Sequence, residues 1–245
     1  MPSNNRPIRI GMIVPSSNTC LEPQTYRILG NRQDVTIHST RIPVTRIALD
    51  DSSDKQFDSS VMRGAAELLA MANVDVIAWN GTSGSWLGDS HDHALVREIT
   101  DATGIPATTS TLAYLEAFAS FGTERIGLFT PYTADVNEAV IASYAREGIK
   151  TIDHRHLDLT DNESFGRVTD EEMLPGSLEL AADHPDALVY LCTNLYGANI
   201  TADVEARTGV PVLDSVAVTL WHALKLAGAP LLDPKWGRLL ADAVA

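Results

Sequence analysis

Two short motifs carry most of the chemistry open to this chain. Cys192-Thr193-Asn194 follows an apolar run that ends at Leu191. A thiol at the end of a buried strand sits beside N–H groups that open the next segment. That placement is expected to lower its pKa from about 8.5 and make it a proton donor or a nucleophile. The plainer alternative is a small buried hydrophobe. Gly81-Thr82-Ser83 ends a similar run. Its two hydroxyls and successive N–H groups form a cradle suited to a carboxylate or oxyanion, although the same residue types also make an ordinary capped turn. Tyr132, just after Pro131, can offer its hydroxyl to a substrate oxygen or simply pack. Ser16, Ser17 and Asn18 can cap a helix, bind an anion, or do both.

These motifs stand at matched places in two halves of the chain. Arg9-Ile10-Gly11, followed by Pro15, recurs as Arg125-Ile126-Gly127, followed by Pro131. The run from Val74 into Gly81-Thr82 recurs as the run from Pro185 into Cys192-Thr193. Thr103-Gly104-Ile105-Pro106 and Ser110 recur as Thr208-Gly209-Val210-Pro211 and Ser215. The offsets of 116, 111 and 105 residues drift as loop lengths would. Two similar α/β halves are therefore expected to face each other across a ligand cleft. At one equivalent pair they differ sharply, with Gly81 in the first half and Cys192 in the second.

Strand-like and helix-like stretches alternate. Apolar runs at 8–14, 35–40, 74–79, 126–130, 150–155, 188–191 and 210–213 read as strands. Helical spacing covers 61–71, 134–147, 171–182 and 216–226. The pattern predicts an α/β protein of two pseudo-symmetric parallel-sheet domains with the site in the cleft between them. Residues 1–116 with 214–245 are assigned to the first half, and 117–213 to the second. Ligands of such folds lie beyond the carboxyl ends of the strands, where the loops 15–20, 80–85, 131–133 and 192–195 fall. The polar stretches 50–60 and 158–166 are expected to form loops over the cleft.

Bulk properties narrow the partners. At 245 residues, with 44% hydrophobic residues, the chain can bury a large core. A net charge of −14 without a basic stripe argues against nucleic acid. The same charge means that an acidic substrate must be held by local donors. Apolar runs fall far short of the roughly 18 residues of a membrane span, and Met-Pro-Ser-Asn-Asn-Arg before the first strand is not expected to act as an apolar signal region. Two cysteines do not make a disulfide framework, so a cytoplasmic protein is expected. His91-Asp92-His93 lacks further ligand spacing for a metal. His154 and His156 read as surface histidines. Cys20 is expected about two residues into the first helix, packed. There is no dinucleotide fingerprint or phosphate loop.

The repeated halves and paired strand-end loops resemble the aspartate/glutamate racemase superfamily, in its maleate cis–trans isomerase and arylmalonate decarboxylase branch. The resemblance runs from Arg9 to Leu240. It rests on Gly-Met-Ile-Val-Pro-Ser-Ser-Asn (11–18), Gly-Thr-Ser (81–83), Thr-Pro-Tyr (130–132) with Asp135-Val136-Asn137, and Cys-Thr-Asn (192–194). It implies small mono- or dicarboxylate substrates and neither metal nor organic cofactor. Maleate isomerases carry a cysteine at each strand end, one attacking the double bond and one handling a proton. Arylmalonate decarboxylases keep the second cysteine and have glycine at the first position, as here with Gly81 and Cys192. Ser17-Asn18 and Asp161-Asn162 look like the isomerase pattern, in which asparagines hold a substrate carboxylate.

Gly81 supplies neither the second base of a racemase nor the nucleophile of a covalent isomerase. Decarboxylation needs only one acid, which returns a proton to an enediolate. The expectation is therefore a cofactor-free lyase acting on a malonate-like acid, with Cys192 as proton donor. Ser17, Asn18, Gly81, Thr82, Ser83, Tyr132, Asn162, Thr193 and Asn194 are expected to bind substrate. The alternatives are an isomerase or racemase in which another group, for example Cys20, replaces the missing thiol, and an inactive dicarboxylate-binding protein. A homodimer or larger assembly is expected.

Overall fold

The structure is a computed structural model and describes residues 6–47, 49 and 59–241. The first sheet holds β1 (Ile8–Pro15), β2 (Val35–Ile42), β3 (Val76–Trp79) and β4 (Ala107–Thr109). The second holds β5 (Arg125–Thr130), β6 (Lys150–His156), β7 (Ala187–Tyr190) and β8 (Val212–Asp214). Every pairing is parallel, and the orders match: β2-β1-β3-β4 and β6-β5-β7-β8. Register matches too, since Ile13 lies opposite Trp79 and Phe129 opposite Tyr190. The fold is thus α/β, with two parallel sheets covered by helices. Helices α1 (Leu21–Leu29), α2 (Ser59–Met71), α3 (Gly84–Leu87), α4 (Asp89–Thr103) and α5 (Ser110–Phe121) belong to the first stretch of chain. They are followed by α6 (Ala134–Arg146), α7 (Asn162–Phe165), α8 (Asp170–Ala181), α9 (Thr201–Thr208), α10 (Ser215–Leu226) and α11 (Arg238–Ala241).

The repeated motifs turn out to be structural clamps. Asp75 accepts the Arg9 amide at 2.8 Å, and Asp186 accepts the Arg125 amide at 2.7 Å, so each aspartate pins the start of its sheet's central strand. Gly11 and Gly127 let helices approach closely. A Cβ at Gly11 would lie 3.2 Å from Leu69 of α2, and one at Gly127 would lie 3.3 Å from Leu180 of α8. The Thr-Gly-(Ile/Val)-Pro repeat ends a helix and launches a strand. Thr103 Oγ1 donates to the Ile99 carbonyl and Thr208 Oγ1 to the Val204 carbonyl, each at 2.7 Å. Gly104 and Gly209 both take φ of +70°, the left-handed turn that glycine adopts without strain.

A single buried apolar cluster runs through both halves. The chain after Asp214 returns to the first sheet, where α10 packs against β3, β4, α1 and α5. Thr219 Oγ1 of α10 donates to Ser110 Oγ of α5 at 2.8 Å. Conversely, Tyr114 of α5 reaches the second sheet and donates to the Tyr190 carbonyl at 2.7 Å. No helix among the described residues is long and apolar enough to cross a membrane.

Two expectations need correction. Cys20 does not lie two residues inside the first helix: it is the N-cap residue just before α1, and Asn18 Oδ1, two residues upstream, accepts the amides of Cys20 (3.0 Å) and Leu21 (2.8 Å). The short Asn18 side chain folds back onto the backbone, so α1 opens at Leu21, about two residues later than a helix running on directly from Asn18. The expected loop at 50–60 lies outside the described residues up to residue 58, and 59 and 60 open α2. The other stretch, 158–166, contains α7 and meets the segment after β2. Ile47 N donates to the Thr160 carbonyl and Asn162 N to the Thr45 carbonyl, each at 3.1 Å, around an antiparallel bridge between Arg46 and Asp161.

Candidate active site

Beyond the strand ends, between the two sheets, Gly81, Thr82, Ser83, Tyr132, Asn162, Cys192 and Thr193 line one cavity. Its remaining walls are Pro15, Val44, Ile47, Trp79 and Trp86. The cavity is nearly closed, with an enclosed volume of about 20 Å3. That is roughly one water's worth. Wider surface hollows exist, such as the one beside Arg63, Arg97 and Asp101, which no thiol among the described residues lines. Chemistry, not size, marks the site.

Cys192 is 3% exposed. The Asn194 amide donates to its Sγ at 3.3 Å. The expectation of a lowered thiol pKa is not met: burial pushes the thiol up to about 12. The Asn194 amide and the Tyr132 hydroxyl pull the other way and are outweighed. Desolvation of a thiolate in an apolar setting costs more than these two donors return. At neutral pH the group is an S–H, suited to giving a proton rather than attacking.

The polar side of the cavity is made of hydroxyls. Thr82 Oγ1 and the Tyr132 hydroxyl lie 2.7 Å apart, joining the two halves. Ser83 Oγ is buried and makes no hydrogen bond within the protein, a condition that buried polar groups rarely keep without a ligand or water. Among the described residues, no lysine, arginine or histidine lines the cavity. Tyr132 is held edge-on by Trp86 and Phe165, with ring centroids 5.4 and 5.6 Å away.

The remaining candidates form a seam behind the cavity. Asn18 Nδ2 donates to Thr193 Oγ1 at 3.2 Å, and Thr193 Oγ1 donates to the Asn80 carbonyl at 2.9 Å. Asn194 Oδ1 accepts the amides of Thr19 (2.9 Å) and Cys20 (3.0 Å). Asn194 Nδ2 donates to the Asn162 carbonyl. Asn162 Nδ2 donates to Ser17 Oγ at 2.8 Å, and Ser17 Oγ donates to the Val44 carbonyl at 2.6 Å. Ser17, Asn18 and Asn194 are thus committed to neighbours and do not line the cavity. Cys20 does not line it either. Its thiol is buried, donates to the Leu195 carbonyl at 3.2 Å, and is raised by burial.

His91 and His93 sit on α4, with Asp92 buried between them; Thr109 Oγ1 donates to Asp92 at 2.5 Å. His154 and His156 stack with centroids 5.9 Å apart, half-buried on β6. No group of three or more His, Cys, Asp or Glu among the described residues is arranged to hold a metal. Sequence reading missed the apolar walls Val44, Ile47, Trp79 and Trp86. The two tryptophans flanking the Gly81-Thr82-Ser83 turn were the available signal.

A doubly repeated parallel α/β fold, with one protonated thiol in an inter-lobe cavity of neutral donors, defines the class. The profile of the arylmalonate decarboxylase family matches residues 10–240, and the chain belongs to that family. It is 33% identical over 182 residues to arylmalonate decarboxylase of Bordetella bronchiseptica, covering 72% of this chain and 75% of that one. It is 29% identical over 248 residues to maleate isomerase of Pseudomonas putida, covering 96% and 98%. Among solved structures it resembles a cysteine-to-alanine variant of the maleate isomerase of Pseudomonas putida S16 with maleate. That match has a TM-score of 0.85 and 26% identity, with 96% of this chain and 98% of that one covered. It also resembles a liganded arylmalonate decarboxylase variant carrying glycine-to-cysteine and cysteine-to-serine changes, with TM-score 0.84, 27% identity, and 96% and 100% covered. Decarboxylases and isomerases thus share this architecture.

Proposed function

We propose that this chain is a cofactor-independent lyase that decarboxylates a small malonate-like acid through an enediolate protonated by Cys192. The observation that carries this reading is the cavity's single thiol, held as S–H by burial. Gly81 offers no acid or nucleophile from the first lobe. Cys20, one candidate substitute for an isomerase's first thiol, is turned to the Leu195 carbonyl.

The steps follow from the walls. One carboxylate rests against the hydroxyls of Thr82, Ser83 and Tyr132 and the backbone of the Gly81–Ser83 turn. The other lies toward Val44, Ile47, Trp79 and Trp86, with no cation among the described lining residues to replace its lost hydration. Cleavage of its C–C bond releases CO2 and moves the electron pair into the retained carboxylate. The enediolate so formed carries its charge on oxygens already facing the hydroxyl donors. Cys192 then gives its proton to the α-carbon, and the resulting thiolate takes a proton from water. Delivery from one side yields one enantiomer. Asn18, Asn194, Ser17 and Thr193 position the Cys192 loop, and Asn162 stands at the mouth. Entry of substrate requires the contact between 44–47 and 160–162 to yield, because the closed cavity holds about one water.

The test is turnover of alkyl- and arylmalonates in deuterated water. The expected result is CO2 release with one deuterium at the α-carbon and a single-handed product. No label from any malonate, together with fumarate formed from maleate, would overturn the reading in favour of an isomerase. Tight dicarboxylate binding without turnover, unchanged in Cys192→Ala, would point to a sensor.

A further inference from the structure

Gly81 is more than a missing side chain, because the space beside it is filled. A Cβ built on Gly81 would fall 2.2 Å from Cζ2, 2.4 Å from Cε2 and 2.8 Å from Nε1 of Trp79. These atoms belong to a rigid bicyclic ring that is 1% exposed, so even a methyl group at residue 81 forces the indole to move. Trp79 also shares the cavity wall with Cys192. The equivalent aromatic in the second sheet behaves differently. Tyr190 packs edge-on against Phe129, with centroids 6.1 Å apart, and lies against Gly197, leaving the position two residues on free to carry Cys192.

We infer that Trp79 is the residue that restricts this site to one-sided chemistry. Its indole occupies the ground on which a thiol from the first lobe would stand. Gly81→Cys alone therefore does not create a two-thiol site, whereas Gly81→Cys combined with a trimmed Trp79 does. In such a site one thiolate removes the α-proton of a 2-substituted propionate. The electron pair moves into the carboxylate to give the enediolate, and the other thiol delivers a proton to the opposite face. Thiol and thiolate exchange roles, and no oxidant or reductant is consumed. The substrate choice rests on the decarboxylase reading, while the packing claim stands apart from it.

The experiment compares the wild type, Trp79→Ala, Gly81→Cys and the double variant, with Trp79→Leu as a milder trim should Trp79→Ala not fold. Thermal melting and α-hydrogen exchange of (R)- and (S)-2-phenylpropionate in alkaline deuterated water are the readouts. Gly81→Cys is expected to lower Tm by several degrees in the wild-type background and by much less in the trimmed one. Exchange of both enantiomers is expected to rise at least tenfold in the double variant alone. Equal Tm losses in both backgrounds would overturn the inference. So would exchange by Gly81→Cys as fast as by the double variant, or a repacked double variant that still decarboxylates but does not exchange. Failure of the wild type to decarboxylate any malonate, with the Tm coupling intact, removes the reaction reading and leaves the Trp79 wall standing.

Discussion

The ends of β3 and β7 are equivalent in sequence offset, sheet order and register, yet they are put to opposite uses. At the first, the Trp79 ring folds over Gly81 and becomes cavity wall. At the second, the Tyr190 ring turns to Phe129 and Gly197, and Cys192 lines the cavity. The residue two positions beyond the last strand residue is glycine where the ring leans in and cysteine where it leans out. Where an aromatic ring goes thus decides whether a strand end can hold a reactive group, and a duplicated fold becomes chemically lopsided through one rotamer on each side.

The largest effect expected from breaking this contrast is loss of Cys192. Cys192→Ala should lower kcat by about 10^3-fold, the usual scale for a general acid, measured by CO2 release. Loss of less than tenfold would remove the thiol from the chemistry. The pH profile sharpens the same point. With the thiol pushed up to about 12, its proton-donating form persists through neutrality. The alkaline limb of kcat should therefore lie well above the roughly 8.5 of a free thiol, and a limb at that lower value would show a solvated sulfur. Next comes the first strand end's own contribution, its hydroxyls. Thr82→Val removes the group 2.7 Å from the Tyr132 hydroxyl and should cost about 10^2-fold in kcat, with less change in KM. An effect confined to KM would limit Thr82 to substrate binding.

A smaller change is expected where the two strand ends are tied together. Asn194→Ala strands the Thr19 amide, while the Cys20 amide keeps Asn18 Oδ1, and should cost about 1–3 kcal/mol, read as a fall in Tm. An unchanged Tm would mean that the seam is not held by this amide. The smallest effect belongs to Asp214, which caps α10 at the next strand end of the second sheet. Burial raises its carboxyl to about 7. The unfolded chain gives up that proton at lower pH than the native one does, so the native state loses stability as pH rises through about 7. Asp214→Asn keeps an acceptor for the amides of Val216 and Ala217, 2.9 and 3.0 Å from Oδ1. Its Tm relative to wild type should be on the order of a few degrees higher at alkaline than at acidic pH. A pH-independent difference would show that the carboxyl does not titrate there.

The duplicated α/β plan was legible because its signals are local. Continuous apolar runs, glycines that admit a helix and the Thr-Gly-(Ile/Val)-Pro turn each act within a few residues of themselves. The site was legible only in outline. Gly81, Thr82, Ser83, Tyr132, Asn162, Cys192 and Thr193 were expected together and line one cavity. Asn18 and Asn194 were expected to touch substrate, but their partners come from the opposite half of the chain, and no spacing rule reveals such a bond. The thiol's acidity was misread for a related reason. A strand end promises N–H donors, whereas the burial that outweighs them is assembled from Val44, Ile47 and two tryptophans brought in by other elements. Trp79 itself looked like an ordinary strand residue, because sequence gives its identity but not its rotamer.

The return of α10 to the first sheet bears on how the chain comes off the ribosome. β3 and β4 emerge more than a hundred residues before the helix that covers them. Until then the nascent first half carries an uncovered greasy face, which cannot be its resting state. The protein is accordingly expected to melt in a single step, and a premature stop before Ser215 should leave a chain that aggregates rather than a smaller folded unit.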